Sequence, residues 1–163
     1  MEKALTGSTD DILTGTFRPH GRVDIRIENN IIYSDARGPF NIELIHALVR
    51  TQRRLAAQGG LTGPLGEVIR ISDSALAGRD VMNILMQAIQ KTQQDGHRRV
   101  GAAFLIAPDV EGISIMLPAI LSCYTKAGLP CRQFEKMEDA ESWIRGLLDA
   151  EQAKVQAVKI ASD

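Results

Sequence analysis

Aromatic residues are scarce. Phe, Trp and Tyr make up 4% of the 163 residues. Proteins that hold single-stranded nucleic acid stack its bases on aromatic rings, so this shortage argues against that class of partner. A surplus of charge is also missing: 19 Lys and Arg face 20 Asp and Glu, a formal net charge of −1. Such a chain has no electrostatic pull toward a polyanion or an anionic membrane. Arg50, Arg53 and Arg54, with His97, Arg98 and Arg99 further on, read for the same reasons as solvated faces. No apolar run approaches the ~20 residues that a membrane span needs. The two cysteines, Cys123 and Cys131, form no CxxC pair and read as reduced thiols that pack like small hydrophobes. The start, Met1-Glu2-Lys3-Ala4-Leu5, has no apolar signal core, so the expected compartment is the cytoplasm. His20, His46 and His97 lack HxxxH or HExxH spacing, and no metal or other cofactor is expected. GxSxG, GxxxxGK[ST] and GxGxxG are all absent from the sequence. With no catalytic constellation in view, the expectation is a protein that is not an enzyme.

What is present describes an ordinary globular chain. Apolar residues are 44% and charged residues 24%, and the length suits one domain. The most informative stretch is 67–94. Glu67-Val68-Ile69-Arg70-Ile71-Ser72 reads as a buried strand, Asp73-Ser74 as a polar turn, and residues 78–94 as a helix. A strand feeding a helix through a short turn is half of a βαβ unit. Upstream, Val23, Ile25 and Ile27 alternate with Asp24, Arg26 and Glu28, the period of a half-buried strand. Asn29-Asn30 suits a tight hairpin turn into Ile31-Ile32-Tyr33. Residues 12–18 read as a short edge strand.

Helical spacing of Ile42, Ile45, Leu48, Val49 and Leu55 predicts a helix over 42–58, opened by Pro39 or Asn41 and closed by Gly59-Gly60. Residues 99–107 form the most apolar run, as expected for a strand covered on both faces. Residues 111–126 read as a helix that either kinks at Pro118 or starts near it. Residues 131–134 are a last strand and 137–148 a last core helix. The expected product is an α/β fold: a mixed, mostly parallel sheet of about five strands, an N-terminal antiparallel hairpin and about four helices. Residues 1–11 are expected to be a flexible, frayed start, 12–150 the single domain, and 151–163 a helical extension or frayed tail.

Three places carry a family resemblance. One is the helix entry Gly38-Pro39-Phe40-Asn41-Ile42-Glu43 after the hairpin. The second is the strand Val100-Gly101-Ala102-Ala103-Phe104-Leu105-Ile106. The third is Phe134-Glu135-Lys136-Met137-Glu138-Asp139-Ala140-Glu141-Ser142-Trp143-Ile144. In order and spacing they resemble the STAS-like superfamily of bacterial anti-sigma-factor antagonists, and more closely its small stand-alone bacterial members of unestablished function. The resemblance implies a regulatory domain whose partner is a protein, a switch kinase or an anti-sigma-type regulator. Antagonists carry Asp-Ser-Ser-Gly before the second helix and are phosphorylated on a Ser there. This chain has Asp73-Ser74-Ala75-Leu76-Ala77-Gly78, so by that motif the phosphoacceptor position falls on Ala75.

Ser72, Asp73 and Ser74 are the candidate site, because ligands of open α/β sheets bind outside the carboxyl ends of the strands. Ser74 is the candidate phosphoacceptor, or the turn could hold a small anion. The bland alternative is turn and capping chemistry. Asn41 is a further candidate contact or a plain helix cap. Met82, Met86, Met116 and Leu117 could line a pocket. The expected function is a non-catalytic regulatory or protein-interaction module. The alternative is a carrier or sensor of an apolar or anionic small molecule. No nucleic-acid or membrane partner is expected, and an exposed sheet edge near the N-terminus could pair two copies.

Overall fold

A computed structural model describes residues 4–12, 15–59 and 61–162. Among these, the chain runs β1 (Leu5–Ser8), β2 (Arg22–Glu28), β3 (Ile31–Arg37), α1 (Ile42–Gln58), β4 (Leu65–Ser72), α2 (Arg79–Gln94), β5 (Arg99–Ile106), α3 (Ile113–Lys126), β6 (Cys131–Phe134) and α4 (Met137–Ala161). The six strands lie side by side in chain order. β1, β2 and β3 pair antiparallel, and β3 through β6 pair parallel. The fold is thus α/β, with a mixed sheet that is antiparallel at its start and parallel thereafter. Asn29 and Asn30 both adopt the left-handed conformation, as a two-residue hairpin turn between β2 and β3 demands.

Alternation along the strands divides the core in two. On one face Ile69, Ile71, Ala102 and Phe104 meet α2 and α3 through Ile89, Ile120 and Tyr124. Farther along that face Val23, Ile25, Ile32 and Leu65 meet α1 through Leu44 and Leu55. On the opposite face Val68, Ala103 and Leu105 meet α4 through Ala140, Ile144 and Leu148. α4 does not reach across the whole sheet. Beyond it Asp24, Arg26, Tyr33, Asp35 and Arg70 line a polar hollow, in keeping with antiparallel strands that face water on one side. Arg22 lies 2.9 Å from Asp24, and this hydrogen bond holds the Asp24 carboxyl below its ordinary range.

Two local expectations need correction, in the edge strand and in the start of the third helix. The edge strand is β1 at Leu5–Ser8, not residues 12–18. Residues 15–18 have no strand structure, and residues 13 and 14 lie outside the described residues. Polar bonds hold β1 in place. The fully buried Thr9 hydroxyl accepts the Val23 N–H at 2.9 Å, and Ser8 with Asp11 forms a capping box around the turn Thr9–Asp11. The third helix starts at Ile113 and runs through Pro118 to Lys126; residue 111 is instead held in a main-chain bridge to Ser74. The last helix continues to Ala161, and its final residues, 152–161, are exposed. No described helix is long and apolar enough to cross a membrane.

α4 approaches the sheet over two glycines. Gly66 of β4 and Gly101 of β5 are register partners. A Cβ on Gly66 would collide with the Ile144 side chain, and one on Gly101 with Leu147. Gly66→Ala should therefore overpack this contact and lower stability by about 1–3 kcal/mol. Urea unfolding should show an earlier midpoint with an unchanged m-value.

Candidate functional site

The carboxyl ends of β3, β4 and β5 emerge at one edge and turn into three loops: residues 38–41, 73–78 and 107–112. These loops are joined by main-chain hydrogen bonds instead of parting into the crevice expected there. Phe40 N–H donates to the Leu76 carbonyl at 2.9 Å, Ala75 N–H to Glu111 at 2.8 Å, and Glu111 N–H to Asp73 at 2.9 Å. Gly38 packs so close to the Ser74 carbonyl that no side chain fits at that position. Asp73, directly after β4, and Asp109, in the turn that follows β5, take the left-handed conformation, one that Asp tolerates better than most residues.

This geometry assigns structural roles to the candidates. Ser74 is 4% exposed, and its hydroxyl accepts the Leu76 N–H at 3.2 Å. A kinase could reach it only by opening the loop. Ser72 ends β4, half-buried, and Asp73 is exposed beside it. Asn41 caps α1 by accepting the Leu44 N–H at 3.0 Å. It also accepts the His20 N–H at 2.8 Å and donates to the Arg18 carbonyl at 3.0 Å, so it ties the segment before β2 to the helix. The small-anion reading meets an obstacle at α2, where the Asp80 carboxylate accepts the Val81 N–H at 2.9 Å. A carboxylate already occupies the place where the helix start would favour an anion.

This edge of the molecule exposes two large apolar side chains. Leu76 lies over Gly112, the residue that opens α3, and is 40% exposed. Ile115, in the first turn of α3, is 76% exposed. Asp73, Asp109 and Glu111 are exposed around them. Sequence spacing does not single out Leu76 or Ile115. α3 is apolar on most of its sides, so an outward isoleucine looks like a core residue.

A second feature lies beneath α1 and α2, against β3–β5. It is a cavity of about 110 Å³ walled chiefly by aliphatic side chains. Met82 lines it. Of the other expected pocket residues, Met86 and Met116 pack in the core alongside, and Leu117 is half-buried on α3. At one end sits a buried ion pair, Arg99 Nε to Glu67 Oε1 at 2.8 Å. Arg99 is thus 6% exposed, not the solvated charge its neighbours Arg98 and His97 suggest. The pair forms because Glu67 and Arg99 lie near the starts of adjacent parallel strands and both face inward. Tyr124, also buried, packs edge-on against Phe104 with ring centroids 5.2 Å apart. Burial, and secondarily the Glu67 charge, hold its phenol well above the ordinary value.

The chain matches no family model, and no curated protein matches it.

Two outcomes follow. Removing one member of the ion pair, as in Arg99→Met, should cost about 3–5 kcal/mol, whereas Glu67→Leu combined with Arg99→Met should recover most of that loss. Urea unfolding of the three proteins would compare them. The tyrosines should titrate late. Tyr33, half-buried and donating to Glu141 at 2.8 Å, is pushed up to about 12, and Tyr124 is raised as well, against about 10 for a free phenol. Raised phenol values contribute stability that is intact below pH about 10 and lost as pH rises toward the folded value. Tyrosinate absorbance should therefore lag that of the unfolded chain, and the stability that the tyrosines contribute should be lost on the alkaline side.

Proposed function

We propose that the protein is a non-catalytic regulatory module that binds another protein through the loop platform at the carboxyl edge of its sheet. The observation that carries this reading is the exposed pair Leu76 and Ile115 on a platform braced by inter-loop hydrogen bonds. Aliphatic side chains held outward on rigid backbone cost little ordering entropy on docking. The acids around them, Asp73, Asp109 and Glu111, suit a partner that presents an apolar spot flanked by Lys or Arg. The resemblance to anti-sigma-factor antagonists supports the same edge as the contact surface. It makes an anti-sigma-type regulator or its kinase, in the cytoplasm, the class of partner. In this reading Ser74 shapes the turn that presents Leu76, and recognition rests on the platform's shape and charge.

Leu76→Ser together with Ile115→Ser should leave the fold and Tm nearly unchanged, because both residues are exposed. Affinity capture from the native host should retain a specific protein on the wild-type chain and lose it, by tenfold or more, on the double variant. Equal recovery of the same proteins by both baits would refute the platform as the contact surface.

A further inference from the structure

We propose that the cavity beneath α1 and α2 is a binding site for an uncharged molecule of single-ring size that carries one hydrogen-bond-accepting oxygen. The space is a pocket of about 110 Å³, lined mainly by aliphatic side chains and partly open to the surface between the two helices. An engineered apolar cavity of roughly 150 Å³ takes up benzene, so the space here suits one small aromatic ring or a short branched chain. Its outer wall is made by Leu48 and Val49 of α1 and by Met82 and Leu85 of α2, all half-buried. Methionine adapts its shape at low cost, which suits a wall that must yield to an entering molecule.

The polar end sets the chemistry of the ligand. Glu67 and Arg99 neutralise each other there. A charged ligand would leave one charge uncompensated in a low-dielectric interior, so an ion is disfavoured. Hydrogen-bonding capacity remains even so. A guanidinium has five N–H donors. Those of Arg99 meet Glu67 at 2.8 Å, the His97 carbonyl, and Gln52 Oε1 at a long 3.4 Å. Tyr124, held as a neutral phenol, lines the same space. Spare donors beside an apolar chamber select a carbonyl, amide or hydroxyl oxygen on an otherwise hydrocarbon body. The site shares Phe40 with the Leu76 platform, but neither reading depends on the other.

Phenol, benzyl alcohol and benzoate are suitable probes of the full chain. At about ten times its Kd, a neutral probe should raise Tm by roughly 3–6 °C, while benzoate should raise it far less. In spectra of methyl-labelled methionine the Met82 signal should move and saturate, and that of Met137, on the opposite face of the sheet, should stay put. Ala88→Leu places extra carbons in the cavity, since Ala88 lines it, and should abolish both responses. No movement of Met82 with either neutral probe up to its solubility limit would overturn the proposal. An undiminished response in folded Ala88→Leu would overturn it too, as would benzoate binding as tightly as phenol. The Met82 readout on the wild-type chain stands even if the variant fails to fold.

Discussion

Four parallel strands laid side by side in chain order leave their connections little freedom. Each crossover between neighbours must climb over the sheet and come back, and the twist of the strands favours one hand for all of them. α1, α2 and α3 therefore share a face. The other face is left to α4, the one element that follows the last strand. A helix is about 10 Å across and a strand spacing about 4.8 Å, so one helix covers about two strands. α4 sits over β4 and β5, and the glycine pair Gly66 and Gly101 lets it sit deep. The outer side of β1–β3 stays open, and its residues Asp24, Arg26 and Asp35 are polar to match.

The same constraint creates both candidate sites. Co-directional strands deliver their carboxyl ends to one edge, where three loops meet and pair through backbone groups that would otherwise lack partners. That pairing turns a would-be crevice into a platform and pushes Leu76 outward. On the helix-covered face, small residues such as Ser34 and Ala36 of β3 and Ala88 of α2 leave space between the sheet and the helices. Phe40 and Ile71 belong to both neighbourhoods: each lines the cavity, while Phe40 sits in a platform loop and Ile71 lies just before one.

Much of this was legible before any coordinates. The hairpin is written in Val23, Ile25 and Ile27 and in the Asn29-Asn30 turn. α1 is written in the spacing from Ile42 to Leu55, and β5 in its unbroken apolar run. β1 was not legible, because four residues with one outward threonine and one glycine carry no usable period; Thr9 holds it by a bond to Val23, distant in the chain, and Ser8 adds local bonds to Asp10 and Asp11. The end of α4 was ambiguous because Val155, Val158 and Ile160 face solvent. Helical propensity and the Arg98–Glu151 ion pair carry the helix on without a buried stripe. Of the candidate site, the position of Ser72, Asp73 and Ser74 at the carboxyl end of a strand was legible from the strand–turn–helix order, whereas the burial of Ser74 and the bonds of Asn41 to residues 18 and 20 were not.

Apart from β1, local pattern determined which segments are helix and which are strand, and that the sheet is mostly parallel, because periodicity and turn chemistry act over a few residues. Which side chains point into a cavity and which stand out from a platform was decided only by packing. Glu67 and Arg99 are 32 residues apart in the chain and 2.8 Å apart in space, and each is an ordinary surface charge until the strands that carry them lie side by side. Leu76 is likewise an ordinary loop residue until Gly112 comes beneath it.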